Sequence, residues 1–141
     1  MKRITVLLAD DNRVVRREFR KILEREDDLE VVGEAKNGRQ AVAMVIKLRP
    51  ALVLMDIAMP LLNGLQATRQ ILKAAATTTK VLMLSAHSDD AYVEEATNSG
   101  AMGYLLKQTA ADSVCSAIRE VQKGVLPESW CLKGGFANDR T

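Results

Sequence analysis

Five polar side chains stand out because each follows closely on a short apolar run. They are Asp10, Asp11, Asp56, Ser85 and Lys107. Three carboxylates held close together repel one another and raise each other's pKa, and a hard divalent cation relieves that repulsion. With such a cation bound, one carboxylate can stay ionised and attack phosphorus, while an ammonium and a hydroxyl contact the transferring oxygens. The set therefore predicts a phosphoryl-transfer site assisted by Mg²⁺.

Asp56 is the most informative of the five, because residues 51–55 are apolar without a break. Such a run is typical of a strand that is buried on both faces of a parallel sheet. Pro60 and the pair Asn63-Gly64 end the strand and open a turn. Asp56 is therefore predicted to stand where a buried strand emerges into a loop, and it is the candidate nucleophile.

The remaining candidates need elements that bring them to the same place. Strands are predicted over residues 4–9, 29–35, 51–55, 80–84 and 103–106. Segments with helical spacing alternate with them; Ser88 with Asp89 caps the fourth predicted helix, and Thr109 and Asp112 begin the fifth. This alternation predicts an α/β fold with a parallel sheet covered on both faces. Ligands bind such sheets beyond the carboxyl ends of the strands, where every candidate falls.

Each candidate also has a simpler interpretation when it is taken alone. Asp10 or Asp11 can cap the first helix, and Asp56 can cap the turn that follows it. Ser85 can be an ordinary loop hydroxyl, and Lys107 can be solvated. His87, the only histidine, is best interpreted as an exposed loop residue. The charged positions of the first helix are interpreted as a solvated face, with a docking surface as the alternative. Those positions are Arg16, Arg17, Glu18, Arg20, Lys21 and Glu24.

The bulk composition limits the classes of function. A chain of 141 residues with 48% hydrophobic and 27% charged residues suits one folded domain. A net charge of +2 and only 4% aromatic residues give no support to nucleic-acid binding. No apolar stretch approaches the roughly 18 residues of a membrane span, and the apolar run after Arg3 is too short for a secretory signal. Cys115 and Cys131 lack metal-site spacing, so we expect free thiols in a cytoplasmic protein.

The same residues resemble the receiver domain of two-component response regulators. The match runs from about Arg3 to Gly124, and order, spacing and strand-end placement all agree. Its pieces are Leu8-Ala9-Asp10-Asp11, Leu54-Met55-Asp56-Ile57-Ala58-Met59-Pro60, Gly64, Leu84-Ser85-Ala86 and Tyr104-Leu105-Leu106-Lys107. The resemblance implies a doubly wound, flavodoxin-like sheet of five parallel strands in the order 2-1-3-4-5. It is closest to the subgroup that usually carries a C-terminal helix-turn-helix output domain.

The resemblance also implies a role for each site residue. Asp56 would accept a phosphoryl group from a sensor histidine kinase. Asp10, Asp11, Asp56 and the backbone carbonyl of Ala58 would hold Mg²⁺. Lys107 would pair with the phosphoryl group and Ser85 would hydrogen-bond it. Tyr104 would be the aromatic switch, since Ser85 drawn toward the phosphate leaves space for the ring and reshapes the surface of helix 4, strand 5 and helix 5.

Two features depart from the common pattern of that family. Many receivers have proline after the lysine, often with a cis bond, whereas Gln108 follows Lys107 here, which leaves the geometry of that loop open. Residues 1–124 are predicted to form the receiver, and residues 125–141 a linker or disordered tail in which Trp130 has no assigned role. No helix-turn-helix is visible after Gly124, so the chain is either a single-domain regulator or truncated, and we favour truncation because the tail has the character of a linker. We expect DNA contact only through an output domain, and dimerisation on phosphorylation remains open.

Other functions are weighed against this one. A Mg²⁺-dependent phosphohydrolase usually has Asp-x-Asp, but Ala58 stands at the second acid position. A nucleotide-binding domain would need a glycine-rich phosphate loop after the first strand, where acids stand instead. A receiver that no longer takes phosphate would not need the acid pair, Asp56, Ser85 and Lys107. We therefore predict a signalling switch and not a turnover enzyme.

Overall fold

A computed structural model describes residues 2–74, 78–86 and 90–124, without the side chains of residues 90–93 and 97. Five strands alternate with five helices along the described chain. The strands are β1 (Ile4–Ala9), β2 (Leu29–Ala35), β3 (Leu52–Asp56), β4 (Lys80–Ser85) and β5 (Gly103–Leu106). The helices are α1 (Arg13–Glu24), α2 (Gly38–Leu48), α3 (Gly64–Lys73), α4 (Asp90–Ser99) and α5 (Lys107–Gln122).

The strands form one parallel sheet in the order β2-β1-β3-β4-β5, which confirms the predicted fold class. The strand order reverses between β1 and β3, the place where doubly wound sheets bind ligands. The register pairs Ala9 with Met55, Asp56 with Leu84 and Ser85 with Leu106. The carboxyl ends of these four strands therefore meet at one edge of the sheet.

The helices cover both faces of the sheet, because alternate strand residues point to opposite sides. Along β1, Val6 and Leu8 belong to one core, and Leu7 and Ala9 belong to the other. The first core includes residues of α1 and α5: Phe19, Leu23, Val114, Ala117, Ile118 and Val121. The second includes residues of α2, α3 and α4: Ala41, Val45, Leu65, Ala67, Ile71 and Ala96. A central strand with apolar residues on both faces is thus fully buried, as the unbroken run 51–55 predicted.

Asparagines cap the first three helices. The side chain of Asn12 accepts hydrogen bonds from the backbone N–H groups of Val14 and Val15, at 2.9 and 3.2 Å. Asn37 caps α2, and Asn63 caps α3 in a reciprocal arrangement with the residue three positions later. Because Asn12 caps α1, neither Asp10 nor Asp11 is used for that purpose.

The fifth helix begins two residues earlier than the sequence predicted. It starts at Lys107, directly after β5, and not at Thr109. The physical reason is that no glycine or proline separates strand from helix, and residues 107–111 have adequate helix propensity. No cis peptide bond occurs in the described ranges, which include the Lys107–Gln108 bond.

The β3–α3 connection is packed tightly against the end of β3. The backbone N–H of Gly64 donates to the carbonyl oxygen of Ile57 at 2.8 Å. A β-carbon at Gly64 would overlap the carbonyl oxygen of Asp56, and one at Gly38 would overlap that of Leu62. Glycine is required at these two positions because α2 and α3 approach the loop through their backbones. This packing fixes the direction in which the chain leaves Asp56.

Some sequence predictions concern residues outside the described ranges. They are the Ser88 and Asp89 cap, His87, Cys131, Trp130 and the proposed linker after Gly124. Cys115 is a partly buried free thiol on α5, as expected. Within the described part of the chain, every helix is too short or too polar to cross a lipid bilayer.

Candidate functional site

Three carboxylates and one ammonium converge at the carboxyl edge of the sheet. Carboxylate oxygens of Asp10, Asp11 and Asp56 all lie within 4.8 Å of one another. Lys107 Nζ lies 3.0 Å from Asp10 Oδ2 and 3.3 Å from Asp56 Oδ1. Asp10 and Asp56 are buried, whereas Asp11 is exposed at the mouth of the site. If all four groups are ionised, the site carries a net charge of −2 and attracts a cation.

Asp10 is held from three directions. Its backbone N–H donates to the carbonyl oxygen of Ala35 at 3.0 Å, and its Oδ1 accepts from the backbone N–H of Asn12 at 2.8 Å. Its own carbonyl oxygen accepts from Arg16 Nη1 at 2.7 Å. The remaining oxygen, Oδ2, is buried and accepts no well-directed hydrogen bond within the described residues. Lys107 Nζ, 3.0 Å away, is its ion-pair partner, and this single contact leaves Oδ2 with capacity for a further ligand.

Asp56 is the last residue of a strand with no exposed side chain. Burial and the nearby Asp10 carboxylate raise the pKa of Asp56 to about 6, although Lys107 acts in the opposite direction. At neutral pH Asp56 is therefore still ionised, but its charge is poorly stabilised in the metal-free protein. A carboxylate in that condition is receptive to a cation or to a covalent partner.

Lys107 is positioned by the abrupt passage from β5 to α5. Burial alone would lower the pKa of its ammonium, but its contacts with Asp10 and Asp56 reverse that effect, so that the pKa is raised. The side chain is 24% exposed and stays charged beside the two acids. It therefore supplies a fixed positive charge next to the predicted nucleophile.

The structure also locates the three other predicted site residues. Ser85 is the buried last residue of β4, one position beyond the residue that pairs with Asp56. Ala58 is exposed in the loop two residues after Asp56. The Tyr104 ring is only 1% exposed and belongs to the core beneath α2, α3 and α4. Ser85 thus ends the strand beside Asp56 and Ala58 follows Asp56 in the loop, whereas Tyr104 lies in the interior.

Sequence analysis missed one residue at this edge. Arg16, interpreted as part of a solvated face, is 6% exposed. Its Nε donates to Glu34 Oε1 at 2.9 Å, and its Nη1 contacts the backbone of Asp10. Arg20, on the same helix, reaches the other oxygen of Glu34 at 2.6 Å. The solvated interpretation is therefore wrong for Arg16, which is buried because its charge is paired.

The raised pKa of Asp56 predicts an unusual pH dependence of stability in metal-free protein. The unfolded chain releases this proton near 3.8 and the folded chain near 6, so the folded state binds more protons between these values. The contribution of Asp56 to the free energy of unfolding is therefore greatest below about pH 4. It decreases as the pH rises to about 6 and does not change above that pH. A pKa difference of about 2 corresponds to at most about 3 kcal/mol.

Urea unfolding in a metal chelator measures this effect when the wild type is compared with Asp56→Asn. We expect the two proteins to have nearly equal stability at about pH 4 and the variant to be more stable at about pH 7, by about 1–3 kcal/mol. A difference between them that does not change with pH would contradict the raised pKa. Asp28→Asn serves as a control, because Arg119 holds the pKa of Asp28 below its ordinary value. The contribution of Asp28 to stability therefore increases with pH, whereas that of Asp56 decreases.

Comparison with known proteins identifies the family to which these features correspond. The family model for the response regulator receiver domain matches residues 6–119. The transcriptional regulatory protein DegU of Brevibacillus brevis is 39% identical over 122 residues, covering 86% of this chain and 51% of the relative. The transcriptional regulatory protein LiaR of Bacillus subtilis (strain 168) is 38% identical over 121 residues, covering 86% and 57%.

A solved structure agrees with the sequence comparisons. The response regulator domain of CheB from Thermotoga maritima superposes with a TM-score of 0.80 at 32% identity. The match covers 86% of this chain and 98% of that domain. By contrast, the chain spans about half the length of the curated relatives it matches.

Proposed function

This chain belongs to the response regulator receiver domain family, and on that basis we propose that it is a switch operated by phosphorylation of Asp56. The observation that carries the proposal is the position of Lys107 Nζ, within 3.3 Å of both Asp56 and Asp10. A nucleophilic carboxylate, a second acid and a fixed ammonium are the groups that phosphoryl transfer needs at one point. The donor would be a phosphohistidine of a sensor histidine kinase.

The reaction is a displacement at phosphorus. A carboxylate oxygen of Asp56 forms a bond to phosphorus, the phosphorus–nitrogen bond of the donor breaks, and its electron pair returns to the imidazole. Lys107 pairs with a phosphoryl oxygen and Ser85 donates a hydrogen bond to another. Because the pKa of Asp56 lies near 6, the carboxylate is ionised at neutral pH without needing a general base.

The residues present fit a magnesium ion. The buried Asp10 Oδ2 lacks a well-directed hydrogen bond, and three carboxylates gather around one point, as hard oxygen ligands for this ion do. Asp10, Asp11, Asp56 and the carbonyl of Ala58 would hold it. The bound ion supplies positive charge that offsets the carboxylates and the incoming phosphoryl oxygens.

The switch would act through Ser85 and Tyr104. Phosphorylation adds about −1.5 to −2 charge at the end of β3, and Ser85 ends the neighbouring strand β4. The Tyr104 ring is already buried in this structure, so we propose that the switch stabilises this buried rotamer relative to an exposed one. The surface formed by α4, β5 and α5 would change shape when the Tyr104 ring changes rotamer.

The wider context of the protein is also a proposal. Residues 1–124 would form the receiver, with residues 125–141 as a linker to an output domain that binds DNA, because the curated relatives are transcriptional regulatory proteins. Phosphorylation would favour a homodimer, and the protein would work in the cytoplasm. It would act as a signalling component that takes one phosphoryl group, not as an enzyme for external substrates.

Acetyl phosphate tests the central proposal directly. With Mg²⁺ present, we expect intact-protein mass spectrometry to show one acid-labile phosphoryl group per chain, and none after chelation of the metal. Beryllofluoride should bind only with the metal and should compete with phosphorylation. Failure to take up phosphate from acetyl phosphate, together with failure to bind beryllofluoride, would identify a receiver that no longer uses this chemistry. Steady release of phosphate over many turnovers from a small ester would instead favour a phosphohydrolase.

A further inference from the structure

Arg16 is a buried cation whose hydrogen bonds join three elements at the site. Its side chain is 7% exposed, on the first turns of α1. Nε donates to Glu34 on β2, and Nη1 donates to the carbonyl oxygen of Asp10 after β1. A guanidinium presents donors in a rigid planar fork, so two partners held at once fix its orientation. The position of the Asp10 backbone is thereby linked to α1 and to β2.

The effect of Arg16 on Asp10 follows from the other contacts of that residue. The backbone N–H and Oδ1 of Asp10 are engaged by Ala35 and Asn12, and Arg16 engages its carbonyl oxygen. These three contacts leave only Oδ2 directed into the carboxylate cluster. Removal of the Arg16 contact would free the backbone after β1 to rotate, and Oδ2 would lose its fixed direction.

We propose that Arg16, held in place by Glu34, is a positioning residue for the divalent cation at Asp10, Asp11 and Asp56. The inference rests on the proposed function, because it assumes that the carboxylate cluster binds the ion. Arg16 does not touch the ion; it acts through the backbone of Asp10. Groups that orient metal ligands in this way contribute about 10- to 100-fold to metal affinity.

Arg119 shows what an ion-pair network without this role looks like. It donates to Asp28 at 2.8 Å and to Glu26 at 2.6 Å, and so ties α5 to the loop before β2. That loop leads into the first residue of β2, so it lies at the amino end of the parallel strands, opposite to the end that carries Asp56. Arg16 and Arg119 each join distant segments through carboxylates, but only Arg16 contacts a residue of the site. Arg119→Gln is therefore a matched control for a purely structural loss.

The test is Mg²⁺ binding to the full chain, measured by calorimetry and checked by Mn²⁺ competition. We expect Arg16→Gln to weaken Mg²⁺ binding by about 10- to 100-fold and Glu34→Gln to weaken it less. Arg16→Lys, which keeps the charge and one set of donors, should restore part of the affinity. Urea unfolding should show a stability loss for both Arg16→Gln and Arg119→Gln, whereas Arg119→Gln should bind Mg²⁺ like the wild type.

The outcomes separate this inference from the proposed function. A folded Arg16→Gln protein with wild-type Mg²⁺ affinity would overturn the inference while leaving the function intact. If that variant does not fold, Glu34→Gln decides in the same way, since it removes the counter-charge that holds Arg16. Equal loss of affinity in Arg119→Gln would show that general destabilisation is the cause. A wild-type chain that binds no Mg²⁺ would instead contradict the proposed function.

Discussion

Replacing Asp56 with asparagine is expected to abolish covalent uptake of phosphate. The amide oxygen of asparagine is a poor nucleophile, and loss of an essential nucleophile costs on the order of 10⁶-fold in enzymes where it has been measured. Asp10 Oδ1 accepts a hydrogen bond from the Asn12 N–H, and Asp11 is exposed at the mouth of the site. Neither shares the position of Asp56 at the end of the buried strand. Acetyl phosphate with Mg²⁺ should therefore leave the mass of the variant unchanged.

Unfolding cannot explain that loss, since the same substitution removes a poorly stabilised charge. We expect the metal-free variant to be more stable than the wild type at neutral pH, so unfolding is not the reason that it fails to take phosphate. Asp28→Asn, which alters a carboxylate paired with Arg119 at the far end of the sheet, should be phosphorylated normally. Acid-labile phosphate retained by Asp56→Asn would mean that another residue is the acceptor.

The parallel sheet could be predicted because its signals are local. The run 51–55 is apolar at every position, and the helices between strands carry apolar residues at regular spacing. Once the strands are parallel, their carboxyl ends share one edge, and the strand order then brings Asp10, Asp56 and Lys107 together. The residue types at these strand ends predicted the chemistry, and the family resemblance assigned each residue its role.

The burial of Arg16 was harder to predict from the sequence than the parallel sheet. Arg16 lies three residues before Phe19 and seven before Leu23, both buried, so its spacing placed it on the inner face of α1. Its charge nevertheless favoured a solvated interpretation, because an unpaired buried cation is costly. The acid that makes burial tolerable, Glu34, is 18 residues away, and only the tertiary structure places it within reach.

Two further features were predicted only in part. The helix α5 starts at Lys107, directly after β5, because no residue there breaks a helix, whereas Thr109 and Asp112 had indicated a start two residues later. The burial of Tyr104 depends on its side-chain rotamer and on the core that surrounds it, which the alternation of residues in a strand does not determine. In both cases the sequence predicted the element correctly but not its detailed geometry.

Loss of the Lys107 ammonium is expected to slow phosphorylation while leaving the acceptor in place. In Lys107→Gln, the cation 3.3 Å from Asp56 Oδ1 is replaced by a neutral amide, so the transferring phosphoryl oxygens lose a fixed positive partner. Removing one such partner costs about 100- to 1,000-fold in rate in enzymes where it has been measured. The first-order rate of phosphate uptake from acetyl phosphate, followed by mass over time, measures this loss.

The kinetics of this variant also distinguish the ammonium from the nucleophile. Lys107→Gln should still reach acid-labile phosphate at Asp56 after long incubation, whereas Asp56→Asn should not. Lys80→Gln is the matched control, because Lys80 starts β4 at the opposite end of the sheet and its Nζ donates to the carbonyl oxygen of Gln122 at 3.1 Å. Wild-type rates in Lys107→Gln would mean that the ion pair with Asp10 and Asp56 serves only the fold. A loss shared with Lys80→Gln would point to net charge, since the two variants change it equally.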